Sequence, residues 1–361
     1  MNTFLHFFIL VAEGLEVPMA ILITGGAGFI GSHFVRRMIH QGRRVVVLDK
    51  LTYAGNLENL KDILDDSKMS QQFKFYKGDI CNQELVEHIF SEEAIDNLVN
   101  FAAESHVDRS ISSADNFIDT DMKGVFVLLE ASRRFSLKKF IQISTDEVYG
   151  TAHHGAFKET DALNPSNPYA ASKAGGDRLA YAYWVTYKLP IIITRASNNY
   201  GPNQHPEKFI PLFITNALED KALPLYGDGR QVRDWIHVED HCAGIDFLMN
   251  HGKDGEVYNI GGGNERYNID TAHLILDELG KPHSLLEHVK DREGHDRRYA
   301  LDCSKLKSLG WKAEIKFEKG LKDTIQWYEN NRAWWMRIKS GEFMEYYYKQ
   351  YKHRFASTVL S

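Results

Sequence analysis

The chain has 361 residues, more than one average domain and enough to bury a substantial core without disulfides or metals. Apolar residues make up 43% and charged residues 25%, as in globular enzymes, and the net charge of -6 argues against general nucleic-acid binding, so an anionic substrate needs a local basic pocket. Three widely spaced cysteines, Cys81, Cys242 and Cys303, exclude a disulfide framework or a cysteine-rich zinc site and suit a reducing cytoplasm.

Residues 1–18 precede the first predicted strand and contain a short apolar run from Phe4 to Ala12. No Lys or Arg comes before this run, and it is too short to span a bilayer. We therefore expect a disordered or loosely packed extension rather than an export signal, and no membrane partner.

Strands and helices alternate from residue 20 to about residue 200. The predicted strands cover residues 20–24, 44–49, 73–76, 98–101, 140–144 and 190–194, and the predicted helices cover 29–41, 84–90, 116–134 and 169–187. Such alternation predicts right-handed crossovers and one parallel sheet with helices on both faces. The expected fold class is α/β, with a Rossmann-type doubly wound domain over residues 19–200 that exchanges strands and helices with the second lobe.

The pattern becomes irregular after residue 200. Short strands at 223–226 and 256–260 mix with helices near 211–217, 239–250, 269–279 and 317–327. This predicts a smaller mixed α/β lobe over residues 201–361 that binds the substrate. The aromatic and basic tail, residues 332–355, is expected to pack on this lobe through an amphipathic face, with a nucleic-acid-binding arm as the alternative.

A glycine-rich loop, Gly25-Gly26-Ala27-Gly28-Phe29-Ile30-Gly31, joins the first strand to its helix. Gly25 permits a tight turn, Gly28 lets the backbone approach a pyrophosphate at the helix N-terminus, and Gly31 allows close helix–strand packing. Asp49 ends the second strand, where it would accept hydrogen bonds from the adenosine ribose and repel a 2′-phosphate. The sequence therefore predicts NAD rather than NADP as the cofactor, although the adjacent Lys50 weakens that exclusion.

Tyr169 and Lys173 lie one helical turn apart, directly after Pro168, and so share a helix face. Tyrosine ionises near pH ~10, whereas a useful base ionises nearer neutrality. A lysine ammonium beside the phenol would favour the phenolate. The pair is therefore a candidate for proton removal during hydride transfer.

Thr145-Asp146-Glu147 follows the predicted strand 140–144. Adjacent carboxylates repel each other unless something uses or solvates them, and doubly wound sheets place their active sites beyond the carboxyl ends of the strands. A solvated acidic turn is the alternative interpretation. Two carboxyl groups with opposite protonation states would serve an elimination, with Glu147 as the base and Asp146 as the acid.

Together these motifs resemble the extended short-chain dehydrogenases/reductases, and most closely the dTDP-glucose 4,6-dehydratases. The resemblance runs from about Met19 to Tyr348. Its most specific segments are 51–56, 102–110, 144–150, 198–202, Arg233-Asp234-Trp235 and 294–299. Related epimerases and decarboxylases share the glycine loop and the Tyr/Lys pair but usually lack the Asp-Glu pair.

The resemblance implies roles for residues at matching positions. Thr145 would bond the sugar 4-hydroxyl beside Tyr169 and Lys173, and Tyr299 would line the site. Further cofactor contacts are implied for Phe29, Ile30, Thr52, Asp79, Ile80, Ala102 and Ala103. Substrate contacts are implied for Ser105, His106, Asn198, Glu207, Lys208, Leu223, Pro224, Tyr226, Arg233, Asn268, Arg292 and His295.

The implied reaction oxidises C-4 of a nucleotide-diphosphate sugar, eliminates water across C-5 and C-6 and returns the hydride to C-6. Alternatives are a UDP-sugar 4,6-dehydratase, a nucleotide-sugar 4-epimerase or decarboxylase, or a non-catalytic NAD-binding regulator. No metal is implied. A homodimer is expected through helices 116–134 and 169–187, because the second helix carries apolar or aromatic residues over more of its surface than one core face needs, namely Leu179, Tyr181, Tyr183 and Trp184. Three departures from the family stand out: Asp121 in place of asparagine, a short loop at 151–161, and Phe209 in place of leucine.

Overall fold

The computed structural model describes residues 19–355 except 293 and 341, so the expected extension over residues 1–18 lies outside the described residues. The chain divides into two compact units. Of the described residues, 19–145, 167–195 and 245–258 form the first unit, and 146–166, 196–244 and 259–355 form the second. The chain therefore crosses between the two units several times.

Twelve strands occur within the described residues. They are β1 Ala20–Thr24, β2 Arg44–Asp49, β3 Phe73–Lys77, β4 Ile95–Asn100, β5 Lys139–Thr145, β6 Ile191–Ala196, β7 Asn198–Tyr200, β8 Leu223–Tyr226, β9 Val232–His237, β10 Val257–Ile260, β11 Glu265–Tyr267 and β12 Leu286–Val289. All six strands predicted before residue 200 form, with ends that shift by up to three residues.

A seven-stranded sheet in the order β10-β6-β5-β4-β1-β2-β3 forms the centre of the first unit. The pairs β1–β2, β2–β3, β1–β4 and β4–β5 are parallel. Every residue of β1 is buried, as expected for a central parallel strand covered by helices on both faces. The strand order reverses between β1 and β4, which is where doubly wound sheets bind ligands. The predicted Rossmann-type fold is confirmed.

Helices flank the sheet and build much of the second unit. The α-helices are Phe29–His40, Lys61–Asp65, Gln83–Glu92, Val107–Ser112, Asp115–Ile118, Val125–Arg134, Pro168–Tyr187, Phe209–Leu218, Val238–His251, Asn268–Glu278, Ser304–Ser308, Phe317–Asn330, Arg332–Ile338 and Glu342–Phe355. The helix predicted over residues 116–134 forms from Asp115 to Arg134, with a π-helical segment, Asp119–Gly124, between its two α-helical stretches.

The second unit contains two small sheets, β11-β9-β7 and β12-β8. Its core joins the helix Phe209–Leu218 to the C-terminal helices, in which Trp334, Trp335, Phe343 and Tyr351 are buried. Trp335 also donates from Nε1 to the carbonyl of Tyr328 at 2.8 Å. The prediction that the tail packs on the C-terminal lobe is confirmed, and the tail does so as helices.

Among the helices described, none combines the length and the apolar character needed to cross a bilayer.

Candidate active site

The glycine loop of the first unit passes close to the backbone after β4, where the strand order of the sheet reverses. Gly25 has a φ of +68°, and a Cβ atom there would lie 2.7 Å from the backbone nitrogen of Ala102, just after β4. A Cβ on Gly31 would lie 2.2 Å from the carbonyl oxygen of Gly25. The helix after Gly28 has no acidic residue in its first turn, so its N-terminus favours an anion. The loop fits a dinucleotide pyrophosphate.

Asp49 is buried at the end of β2 and holds the glycine loop. Its Oδ2 accepts the N–H of Ala27 at 2.9 Å, and its Oδ1 accepts the N–H of Leu51 at 2.8 Å. Burial raises the pKa of this carboxyl, and the two backbone hydrogen bonds oppose the rise. An ionised carboxylate has further lone pairs for ribose hydroxyls, so the predicted role fits this geometry.

The neighbouring predicted cofactor residues follow the carboxyl ends of β2 and β3. Lys50 forms an ion pair with Asp79 at 2.7 Å, and Asp79 Oδ1 accepts the N–H of Cys81 at 2.8 Å. Ile80 is buried against Gly124, where a Cβ would lie 2.4 Å from its Cδ1. Thr52 is exposed. The contacts of these residues with NAD, among them that of Asp79 with adenine, stay predictions.

Tyr169 and Lys173 lie on the first turns of the helix Pro168–Tyr187. Asn167 caps this helix by accepting the N–H of Ala170 at 2.9 Å, and Pro168 occupies its first position. The backbone N–H of Tyr169 donates to Ser110 Oγ at 3.2 Å, and Lys173 Nζ donates to the carbonyl of Ile143 in β5 at 2.8 Å. The fold therefore anchors both reactive residues to regular elements.

Lys173 shares its buried environment with Asp121 in the π-helical segment. Burial lowers the pKa of Lys173, whereas the charges of Asp121 and Asp177 raise it. Burial raises the pKa of Asp121 to about 7, against the opposing charge of Lys173 and a 2.7 Å hydrogen bond from Ser172 Oγ. A Cβ on Gly176 would lie 2.3 Å from the carbonyl oxygen of Asp121, so only glycine lets this segment approach the helix.

The remaining predicted residues of the first unit follow β4 and β5. Ala102, Ala103 and Ser105 are half-buried in the segment after β4, and His106 is buried at the start of the helix Val107–Ser112. Thr145 is the last residue of β5 and is also buried. Their contacts with cofactor and sugar stay predictions.

Asp146 and Glu147 begin a single 3-10 turn, Asp146–Tyr149, in the second unit. Asp146 is buried and Glu147 half-buried, so the two carboxyl groups occupy different environments. The hydroxyl of Tyr299 lies 3.2 Å from Glu147 Oε2. The structure therefore brings Tyr299 to the predicted base, which an exposed acidic turn would not require.

Tyr299 belongs to a buried polar network that the sequence did not predict. Its hydroxyl lies 2.9 Å from Asp296 Oδ2, and Arg233 stacks over its ring with the guanidinium carbon 4.2 Å from the centroid. Arg233 also donates from Nη2 to the carbonyl of Asp296 at 3.0 Å. Asp296 lay within the segment 294–299 that carried the resemblance, but nothing in the sequence identified its partners.

The predicted basic residues of the second unit do not all carry charge. Burial, followed by the charges of Arg292 and Arg233, lowers the pKa of His295 to about 4, and Asp291, 2.6 Å from its Nδ1, opposes the shift. His295 is therefore neutral near pH 7. The positive charge predicted for a diphosphate site would then come from Arg233 and Arg292.

Two predicted substrate residues have buried acceptor oxygens without a hydrogen-bond partner among the described residues: Asn198 Oδ1 and Asn268 Oδ1. Unsatisfied buried polar atoms are rare in native proteins, so both atoms fit a ligand that donates hydrogen bonds. Glu207 is buried and Lys208 half-buried before the helix Phe209–Leu218. Their contacts with sugar and phosphate stay predictions.

The predicted nucleobase residues Leu223, Pro224 and Tyr226 lie on β8. The Tyr226 ring packs edge-on against His295 at a centroid distance of 5.8 Å. On the last helix, Tyr351 stacks with Tyr226 at 6.0 Å. The predicted base and diphosphate residues of this unit therefore lie side by side.

The fold and these residues define an NAD-dependent enzyme of the extended short-chain dehydrogenase/reductase type, as the first resemblance indicated. The model of the GDP-mannose 4,6 dehydratase family matches residues 22–324. The chain belongs to this family.

Similar proteins narrow the comparison. The chain is 48% identical over 331 residues to a dTDP-glucose 4,6-dehydratase of Streptomyces niveus, covering 90% of this chain and 97% of that protein. It is 47% identical over 364 residues to dTDP-glucose 4,6-dehydratase 1 of Escherichia coli K12, covering 93% and 100%. The crystal structure of the dTDP-glucose 4,6-dehydratase DesIV from Streptomyces venezuelae, with NAD bound, matches with a TM-score of 0.86 and 47% identity, covering 89% and 100%. The predicted resemblance is confirmed.

Proposed function

We propose that this protein is an NAD-dependent dTDP-glucose 4,6-dehydratase. It converts dTDP-glucose to dTDP-4-keto-6-deoxyglucose by oxidation at C-4, loss of water across C-5 and C-6 and hydride return to C-6. The observation that carries the proposal is the high identity to dTDP-glucose 4,6-dehydratases over nearly their whole length. The Thr145-Asp146-Glu147 sequence supports the elimination step.

The first unit is assigned the redox chemistry. When bound, NAD supplies a reversible hydride acceptor. Tyr169 removes the proton of the 4-hydroxyl, Thr145 bonds the same hydroxyl, and the buried Lys173 favours the phenolate when it carries a proton. Asp49 fixes the glycine loop and excludes a 2′-phosphate.

The second unit is assigned acid–base chemistry and nucleotide binding. A ketone at C-4 acidifies the C-5 proton, which Glu147 removes, while Asp146 protonates the departing 6-hydroxyl. Arg233 and Arg292 bind the diphosphate, and Asn198 and Asn268 use their unsatisfied oxygens to accept hydrogen bonds from the substrate. The nucleobase packs on the β8 residues.

A labelled substrate tests the reaction. dTDP-glucose carrying deuterium at C-4 should give a product carrying deuterium at C-6, since the same hydride is removed and returned. Mass spectrometry of the product without added reductant measures this. Loss of the label to solvent, or a product that has not lost water, would contradict the proposal.

A UDP-sugar dehydratase is the alternative, because nothing on β8 distinguishes thymine from uracil by charge. The rates of water loss from dTDP-glucose and UDP-glucose, measured side by side, separate the two. We expect a preference of at least about fivefold for dTDP-glucose, since one additional buried methyl group contributes about 1 kcal/mol or more.

We also propose a homodimer. Ile118, Met122 and Phe126 recur every fourth residue and are 52%, 38% and 45% exposed. Tyr181 and Val185, on the helix Pro168–Tyr187, are 41% and 48% exposed. Exposed apolar side chains along two helices of one unit favour a second protein surface.

The residues that suggested this surface from the sequence are only partly the exposed ones. Leu179 and Tyr183 pack in the core of the first unit, and Trp184 packs on Gly255. The exposed residues instead lie at neighbouring positions of the same helix.

Light scattering tests the homodimer. Phe126→Glu should give a monomer at micromolar concentration, whereas Met336→Glu, at a 55% exposed position of the helix Arg332–Ile338, should leave the dimer intact. A wild-type monomer, or equal effects of both variants, would contradict the proposal.

The proposed location is the cytoplasm, where nucleotide sugars and a reducing environment suit this chemistry. None of the three cysteines, all of which the structure describes, forms a disulfide. Cell fractionation with an antibody against the protein tests the location, and recovery in an exported fraction would contradict it.

A further inference from the structure

The hydroxyl of Tyr299 lies between two carboxylates of the second unit. It is 2.9 Å from Asp296 Oδ2 and 3.2 Å from Glu147 Oε2, and the residue is only 2% exposed. Burial first, and then the charges of Glu147 and Asp296, raise the pKa of Tyr299 well above its usual value. The phenol therefore keeps its proton, and with one proton it can donate to only one of the two carboxylates.

Asp296 is the better placed acceptor. It is buried and accepts two further hydroxyl donors, Thr151 Oγ1 on Oδ1 and Ser166 Oγ on Oδ2, each at 2.5 Å. An ionised carboxylate only accepts hydrogen bonds, so three hydroxyl donors match its capacity. The shorter distance from Tyr299 also favours Asp296, which leaves a lone pair of the Tyr299 oxygen directed at Glu147.

We propose that Asp296 and Tyr299 are positioning residues that prepare Glu147 to accept the C-5 proton. Because Asp296 takes the hydrogen bond of Tyr299, the ionised form of Glu147 receives none from that hydroxyl. Once Glu147 is protonated, it can donate to the Tyr299 oxygen. The pair therefore stabilises Glu147 after proton transfer rather than before it.

The transfer of the C-5 proton to Glu147 balances. The C-5–H bond of the 4-keto sugar breaks, its electron pair stays on the sugar, and the proton resides on Glu147. Tyr299 and Asp296 gain and lose no proton. Arg233, stacked on the Tyr299 ring, holds the phenol in place. This inference rests on the proposed dehydratase function.

Asp296→Asn tests the direction of the hydrogen bonds. The new amide can donate to the Tyr299 oxygen, so Tyr299 turns its proton to Glu147 and stabilises the ionised base. A hydrogen bond to a charged group corresponds to about tenfold to a hundredfold in rate, so exchange of the C-5 proton with D2O should slow by that factor. Formation of NADH from dTDP-glucose should change by less than about threefold, because C-4 oxidation does not use Glu147.

Tyr299→Phe removes the hydroxyl that transmits the effect. Alone, it should slow C-5 exchange by about threefold to tenfold, the loss of one neutral hydrogen bond. The double variant Asp296→Asn/Tyr299→Phe should exchange at the rate of Tyr299→Phe, since the amide introduced by the first substitution then has no phenol to redirect. Residues in one network show such non-additivity, whereas independent structural losses add.

Asp323→Asn is the matched control. It makes the same change from carboxylate to amide in the same unit, but on an exposed ion pair with Lys319, so C-5 exchange should stay within about twofold of wild type. A wild-type rate of C-5 exchange in Asp296→Asn would overturn the inference. So would a loss of exchange from Asp296→Asn that is equally large in wild type and in Tyr299→Phe.

Tyr299→Phe also decides the matter where Asp296→Asn does not fold. Faster C-5 exchange in Tyr299→Phe than in wild type would mean that Tyr299 normally donates to ionised Glu147, the reverse of the proposed arrangement. A failure of the dehydratase function itself gives a different result, namely no NADH and no 4-keto sugar from the wild-type protein.

Discussion

The two units hold their reactive side chains in different ways. In the first unit, Lys173 donates to a strand carbonyl, that of Ile143, on regular secondary structure. In the second unit, Glu147 lies on a single helical turn and meets Tyr299, which is fixed by the side chain of Asp296. The hydride-transfer geometry thus follows from the sheet and its helices, whereas the acid–base geometry depends on hydrogen bonds between side chains.

This difference has a chemical consequence. Tyr169 and Lys173 share a face because they lie four residues apart on one helix. Substitutions elsewhere in the chain do not alter that spacing. The proposed base Glu147, in contrast, depends on the hydrogen bond between Tyr299 and Asp296, which an amide at position 296 would reverse. If the proposed division of labour holds, substitutions in the two units should stop the reaction at different steps.

The largest expected effect is at Tyr169. Tyr169→Phe should lower turnover by ~10²–10⁴-fold, because the 4-hydroxyl loses its base. Transient absorbance should show no NADH after mixing with dTDP-glucose. NADH formation at the wild-type rate would place the first proton transfer on another residue.

Glu147→Gln should lower turnover by a similar ~10²–10⁴-fold but at a later step. NADH should still form, while deuterium uptake at C-5 should cease, because the glutamine amide is not a base. Asp146→Asn is the matched control, since it should slow water loss but keep C-5 exchange. If Glu147→Gln abolishes NADH formation as completely as Tyr169→Phe does, the two units do not act at separate steps of the reaction.

Asp49→Asn should have a smaller effect that is confined to the first unit. Asparagine keeps only one of the two acceptor oxygens that bind the N–H groups of Ala27 and Leu51, and it removes the charge that repels a 2′-phosphate. NAD affinity should fall by about tenfold, and the preference over NADP should narrow. Calorimetry on protein stripped of cofactor measures both affinities, with dTDP binding as the control for the second unit.

The sequence predicted most of the first unit because its signals are local. The glycine loop, Asp49 and the pair Tyr169 and Lys173 each depend on spacings within one strand–helix unit. The structure adds that Asp49 holds the glycine loop and that this loop lies against the segment after β4. The family and the fold were also predicted correctly.

The polar network of the second unit could not be predicted in the same way. Asp296 meets Thr151 and Ser166, which are 145 and 130 residues earlier in the chain, and no periodicity encodes such contacts. The π-helical segment was missed for a related reason. Its contact with Gly176 comes from a helix that follows much later in the chain, and helical periodicity alone does not reveal a wider turn.

Asp121 is a residue that the sequence singled out but whose contacts only the structure shows. The sequence identified it as a departure from the family's asparagine, and the structure buries it beside Lys173. The groups that act on it are Ser172, Lys173 and Glu104, and Lys173 is also acted on by Asp177. A negative charge on Asp121 supports the ammonium of Lys173, while a neutral amide would not.

Asp121→Asn should therefore move the loss of activity on the alkaline side towards lower pH, because burial then lowers the pKa of Lys173 without opposition from Asp121. Stability gives a second test. The folded-state pKa of Asp121, about 7, lies above its unfolded value, so the folded wild type binds more protons between about pH 4 and pH 7, and its unfolding free energy falls as pH rises through that window. The variant lacks this contribution, so its unfolding free energy should fall less over the same window. Turnover profiles and urea unfolding at pH 5 and pH 7 measure the two effects, with Asp62→Asn on the exposed Arg36 ion pair as a control for loss of a carboxylate. Identical alkaline limbs in wild type and Asp121→Asn would show that Asp121 does not act on Lys173.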